Sequence, residues 1–260
     1  MSLIDSVIVT QHLSKTFKTK VLNDINLNIK AGEIIGYIGP NGAGKSTTIK
    51  ILTGIISDFE GEATVLGLDI RKDALEVKKR IGYIPENAAL YDTLTPQEYL
   101  HFIGQLYGME HAVIGKKSKE LLNLFELGNY IDSRMTTFSK GMRQKVLLIA
   151  GMIHNPSILF LDEPLSGLDA NAVILVKEIL SQLKRSGKTI FYSSHIMDVV
   201  EKISDRIIII NQGEMIANGT FEELNAQAQR GSLEKLFTTL TGNQEHSSVA
   251  GEFISILEGM

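Results

Sequence analysis

One octapeptide constrains this chain more than any other segment: Gly39-Pro40-Asn41-Gly42-Ala43-Gly44-Lys45-Ser46. It satisfies the pattern G-x-x-x-x-G-K-[ST] at every position. The apolar run from Glu33 to Ile38 precedes it and reads as a strand, and the run from Ser46 to Leu52 reads as a helix. Glycines between them let the backbone curl so that successive N–H groups point inward. The start of the new helix adds the positive end of its dipole. The product is a cradle for phosphate oxygens, in which Lys45 would reach the β- and γ-phosphates and Ser46 would offer a hydroxyl to Mg²⁺. A plain Gly-rich turn with a surface lysine does not explain the strand before it and the helix after it.

The rest of the chain narrows the setting. At 260 residues, 43% of them apolar, it holds one large domain or a core with an attached lobe. The net charge of −4 gives no basic footprint, so a nucleic-acid partner is not expected. With no cysteine there is neither disulfide nor thiolate metal site. The start, Met1 to Asp5, lacks the basic and apolar regions of a signal peptide. The longest apolar run, Val146 to Ile153, is far short of the ~20 residues that span a bilayer.

Periodicity divides the chain. Residues 6–39 alternate as short strands: Val7–Val9, Asn26–Ile29, then the strand into the phosphate loop. Residues 62–70 add a strand and turn, and Ile81–Ile84 is a short strand stopped by Pro85. From Thr95 the period becomes helical. Thr95-Pro96-Gln97-Glu98 is a capping box with Pro at the first helical position, followed by Leu100, Ile103 and Tyr107. A second amphipathic helix is predicted over 116–127, with Leu121, Leu124 and Phe125 on one face, so 90–155 reads as a helical lobe inserted in an α/β core. The core resumes with the continuous apolar run Ser157–Leu161, typical of a strand buried on both faces. A helix at 171–185, a strand at 188–193, a short helix, the strand Arg206–Ile210, a hairpin strand and a helical stretch over 221–242 follow. The end, 243–260, is polar and then weakly amphipathic through Phe253, Ile254 and Leu257.

Further candidates sit at element ends. Asp162 and Glu163 close an apolar strand, beside the phosphate loop in this fold class. Asp162 would hold Mg²⁺ through water, and Glu163 would face the γ-phosphate and polarise an attacking water. Two solvated acids at a strand end are the bland alternative. His195, after the strand Thr189–Ser193, is placed to donate to the γ-phosphate or simply to pack at a helix start. Ser139 and the N–H groups from Gly141 onward open an apolar helix predicted at 143–153, an anion site by construction. One nucleotide does not need two such sites, which suggests that the second serves a nucleotide held by another chain; an ordinary Ser cap is the alternative. Phe17 is either an adenine-stacking ring or part of the core.

Taken together these segments resemble the ATP-binding subunit of ABC transporters, over about residues 12–242. The resemblance implies a P-loop NTPase core (RecA-like) of α/β class, with an antiparallel β subdomain and an inserted helical subdomain. It implies an ATP-binding domain over 6–242 and a separate tail over 243–260. It assigns Phe17 to adenine; Gly39, Asn41, Gly42, Ala43, Gly44, Lys45, Ser46 and Thr47 to the phosphates; and Phe138–Met142 to the signature segment, with Ser139 and Gly141 on phosphate. Asp162, with Ser46 and Glu86, goes to Mg²⁺, Glu163 becomes the catalytic base beside Lys45, Ser166–Asp169 the dimer-contact loop, and His195 the switch histidine. Two departures stand out: Phe-Ser-Lys-Gly-Met replaces Leu-Ser-Gly-Gly-Gln, and Glu86 replaces Gln.

The implied activity is ATP hydrolysis by an ATP-dependent homodimer. It would power transport, with subgroup resemblance favouring export of drugs, lipids, polysaccharides or ions. The implied partner is a separate integral membrane permease, which places the chain in the cytoplasm, peripheral on the inner face of the membrane. A soluble ABC-type ATPase of translation or DNA repair is the alternative, although such relatives carry two cassettes, coiled-coil insertions or Cys-rich zinc insertions. A P-loop kinase or GTPase leaves Ser139–Gly141 and Ser166–Asp169 unexplained. Glu86 to Leu94, with Asn87, Tyr91 and Leu94, is expected to form part of a groove for a short helix of the membrane partner, unless Tyr91 and Leu94 merely pack under the lobe.

Overall fold

The computed structural model describes residues 6–86, 90–195, 197–227, 232–241 and 253–257. Its centre is a six-stranded sheet of β4 (Ile34–Ile38), β7 (Ile81–Ile84), β8 (Ile158–Asp162), β9 (Thr189–Ser193), β10 (Arg206–Asn211) and β11 (Glu214–Gly219). The spatial order is β11-β10-β4-β9-β8-β7, parallel except for the β10–β11 hairpin. Every residue of β4, β8 and β9 is buried, as expected of parallel strands covered on both faces.

Alternation along these strands feeds two cores. Ile35, Tyr37, Phe160 and Phe191 face one of them, with Ile49, Ile51 and Leu52 of α1 (Lys45–Leu52) and Val77 of α2 (Ala74–Arg80). That side is covered by a second, antiparallel sheet of β1 (Ser6–Thr16), β2 (Lys20–Ile25), β3 (Asn28–Lys30), β5 (Glu60–Val65) and β6 (Leu68–Asp69), with order β2-β1-β5-β6 and β3 also on β1. Ile34, Ile38, Leu161 and Ile190 face the other core. It is built by α3 (Pro96–Leu106), α4 (His111–Leu124), α5 (Lys140–Met152), α6 (Ala170–Arg185), α7 (Met197–Ile203), α8 (Phe221–Gln227) and α9 (Leu233–Thr241).

The capping box closes as the sequence predicts: Glu98 N–H donates to Thr95 Oγ1 at 3.2 Å and Thr95 N–H to Glu98 Oε2 at 2.8 Å. Other expectations shift. The run Asn26–Ile29 is not one strand, because the ladder breaks at Asn26 and Leu27. Thr10 bridges the gap: its Oγ1 donates to Ile25 O and accepts from Leu27 N–H, both at 2.8 Å. The second lobe helix starts at His111 rather than 116 and ends at Leu124, which is 66% exposed, while Ile114, Ser118 and Leu122 turn inward. The helix after Ser139 begins three residues before 143, so Lys140 and Gly141 lie in its first turn. Residues 221–242 give two helices, α8 and α9, rather than one described run. Helix α2 was not foreshadowed by any strong periodicity, since only Val77 of its seven residues is buried.

Candidate functional site

Parallel strands present their C-terminal ends at one edge, and there the chemistry collects. β4 leads into the phosphate loop, β8 ends in Asp162, and β9 leads to His195. Gly44 sits at φ +108°, and a Cβ on it would meet Leu22 Cδ2 at 2.5 Å and Val21 O at 2.9 Å, so only glycine lets the loop lie against β2. The α1 N-terminus has no side-chain cap and no acid in its first turn. Its first N–H groups are therefore open to an anion.

Lys45 Nζ donates to Gly39 O at 2.7 Å and to Pro40 O at 3.2 Å. Burial pushes this ammonium below the ordinary lysine range, while Glu163, Asp162 and Glu86 pull it back up. Asp162 is 2% exposed and accepts from Ser193 Oγ at 2.6 Å. The strand register places Ser193 directly beside it. Glu163 has φ +50°, a left-handed conformation that is uncommon for a residue with a side chain. Its N–H is held by Ser193 Oγ at 3.2 Å, and its Oε2 meets His195 Nδ1 at 2.7 Å. Tyr83 next to this cluster has its phenol pushed up to about 12, by burial first and by the Asp162 charge second, so it stays neutral.

A cavity of about 600 Å³ brings most of the predicted residues together. Asn41, Gly42, Gly44, Lys45, Ser46 and Thr47 form one wall, and Glu86, Asp162, Glu163 and His195 face them. Gly39 takes part through its carbonyl, and Ala43 is buried behind the loop. Phe17 is not a core residue: it is 57% exposed after β1, with Lys15 Nζ 4.8 Å from its ring centroid. Ser139 and Gly141 do not line the cavity; they start α5, where Ser139 Oγ accepts from Met142 N–H at 3.2 Å. Asn87 lies outside the described residues, whereas Tyr91 is 60% exposed and edge-on to Phe102 with ring centroids 5.6 Å apart.

Two contributors escaped the sequence reading. Val21 forms part of the cavity wall, and Ser193 holds both acids in place. The second had a faint signal in Ser193-Ser194-His195 at a strand end; Val21 had none.

The donor set also fits a hard cation. Asp162, Glu86 and the Ser46 hydroxyl supply only oxygen, as Mg²⁺ prefers. Among the described residues no three His, Cys, Asp or Glu side chains group to form a metal cage.

Comparison with known proteins gives the family. The profile of the ABC transporter family matches residues 22–166. The linearmycin resistance ATP-binding protein LnrL of Bacillus subtilis is 38% identical over 241 residues, covering 92% of this chain and 77% of the relative. Among solved structures, an ATP-binding subunit of an ABC transporter aligns with a TM-score of 0.85 and 32% identity, over 90% of this chain and 99% of that one. A dimeric, post-hydrolysis ATP-binding cassette bound to ADP and phosphate aligns with a TM-score of 0.77 and 25% identity, over 82% and 98%. The chain therefore belongs to the ABC transporter family, as an ATP-binding subunit and an ATPase.

Proposed function

We propose that this cassette works in pairs closed around two ATP molecules and powers export through a separate integral membrane permease, from the inner face of the cell membrane. The observation that carries the reading is the convergence of Lys45, Asp162, Glu163 and His195 on one cavity while Ser139 opens a different helix outside it. A cavity with one wall of phosphate donors and one of acids is suited to hydrolysis. An α5 N-terminus away from it is suited to a nucleotide on a second copy. Support for export comes from the printed name of LnrL, a resistance protein. No helix among the described residues is long and apolar enough to cross a membrane, in keeping with a separate permease.

In this reading residues 6–242 are the cassette and 243–260 a tail. Phe17 offers its exposed ring to adenine. Asn41 to Thr47 cradle the phosphates, and Lys45 leaves its loop carbonyls to neutralise them. Ser46, Asp162 and Glu86 would hold Mg²⁺, which when bound neutralises phosphate charge. Glu163 accepts the proton of the attacking water, and His195 Nδ1 fixes the orientation of that carboxylate. The cavity of about 280 Å³ bounded by Tyr91, Leu94 and Phe102 receives a short helix of the permease.

Glu163→Gln tests the assignment. An amide cannot take the proton, so hydrolysis should fall by about 10²- to 10⁴-fold while ATP binding stays within a few-fold. Wild-type turnover in that variant would move the base to Glu86 or His195.

A further inference from the structure

Helix α5 and the loop that leaves Glu163 are fastened to each other at successive points. Lys140 Nζ donates to Ser166 Oγ at 2.8 Å. The Lys140 methylenes lie on Gly167, where a Cβ would meet Lys140 Cγ and Cδ at 3.0 Å. Gly141 approaches so closely that a Cβ on it would stand 2.6 Å from Gly167 O. One turn further, the buried Gln144 donates Nε2–H to Pro164 O at 3.0 Å. Lys145 Nζ then lies 3.5 Å from Asp169 Oδ2, the residue that caps α6. The loop is itself closed onto the acid, since Ser166 N–H donates to Glu163 O at 3.1 Å. A displacement of Ser166 is thus passed to Glu163 through this hydrogen bond and the two intervening residues. Glu163 is the residue held at φ +50°, a conformation that persists only when its surroundings fix it.

We infer that α5 sets the position of the Glu163 loop, and that Lys140 is a positioning residue for the acid of its own chain. The inference rests on the roles proposed above for Ser139 and Glu163. Under those roles α5 meets a nucleotide held by the second copy, while Glu163 serves the nucleotide of its own cavity. The fastening therefore links two sites through one chain: a phosphate arriving at the α5 N-terminus orders the acid of the other site. A lysine between Ser139 and Gly141 makes the first tie, because a glycine there has no side chain to reach Ser166.

The test is a double-mutant cycle of Lys140→Met and Ser166→Ala in the full chain. Lys140 is exposed and Ser166 is a half-buried loop residue, so folding should survive. Each single change is expected to lower kcat about 3- to 10-fold, with KM for ATP within about 2-fold and the Hill coefficient falling toward about 1. The double variant should be no slower than the slower single, and Lys140→Arg should restore most of the rate. Multiplying losses, or a raised KM with unchanged kcat, would overturn the fastening, the latter because Lys140 would then be a phosphate contact. ATP-driven dimerisation, followed for the same variants on the Glu163→Gln background, separates the two levels. No dimer in the Glu163→Gln parent would defeat the proposed function itself. A normal dimer with multiplying kinetic losses would defeat only the fastening.

Discussion

The chain contains two helix starts of similar make, at α1 and at α5, and they are equipped in opposite ways. Both carry a lysine at the first helical position, Lys45 and Lys140, and both present the positive end of a helix dipole. The α1 start is uncapped, carries a buried lysine and faces three acids across a cavity. The α5 start is capped by Ser139, carries an exposed lysine bound to Ser166, and does not line the cavity that holds the three acids. Under the proposed function, the α1 start holds the phosphates and the α5 start covers a nucleotide on the second copy. If the site is divided between two copies as proposed, a single chain is expected to hydrolyse ATP poorly alone.

The largest effect is expected at α1. Lys45→Ala removes the one lysine or arginine among the described residues that line that cavity and should lower hydrolysis by about 10³-fold or more. Equilibrium binding of a fluorescent ATP analogue and phosphate release should fail together. Near-normal turnover would mean that the α1 start is not the phosphate site. An intermediate effect is expected in the lobe. Tyr91→Ala should leave the basal ATPase of the isolated subunit unchanged, since Tyr91 lies outside the nucleotide cavity. Permease-stimulated ATPase in the reconstituted complex should fall severalfold, and equal loss of both activities would make Tyr91 a structural residue.

The smallest effect concerns how the lobe is joined to the sheet. His154 stacks on Tyr107 at 3.5 Å and 6°, and its Nε2–H donates to Ile81 O at 3.0 Å. Its Nδ1 is buried without a partner, so a second proton there would find no acceptor. Burial accordingly holds the imidazole below its ordinary value, with the Ile81 hydrogen bond opposing and Lys117 and Lys188 adding to the shift. The unfolded chain then takes the proton first. The contribution is complete above the unfolded value of about 6.5 and is lost as pH falls through the folded one. Thermal unfolding between about pH 7.5 and 5.5 should show a decline shallower than about 1.4 kcal/mol per pH unit, and His154→Gln should flatten it. An unchanged slope in that variant would place the titration elsewhere.

What the sequence disclosed follows from how local each cause is. The phosphate loop, the Thr95–Glu98 box and the apolar strand ending in Asp162 are written in consecutive residues, and all three were legible. The position of Phe17 was not, because an isolated aromatic has the same sequence signature whether it is buried or stacked under a lysine. The break between β2 and β3 depends on a hydroxyl fifteen residues away, and the support of Asp162 depends on Ser193, thirty-one residues on. Leu124 fits the predicted helical face by spacing, yet α4 is rotated so that Leu122 takes the inward position. Periodicity finds a face; it does not choose between neighbours at its margin.

The division of labour between the two helix starts is tested most directly by the mass of the Glu163→Gln chain in light scattering, with and without ATP. A monomer is expected without nucleotide and a dimer with ATP, with a return to monomer when Ser139→Arg places a bulky cation at the α5 start of both copies. A dimer that forms without ATP, or one that survives Ser139→Arg unchanged, would contradict that division of labour.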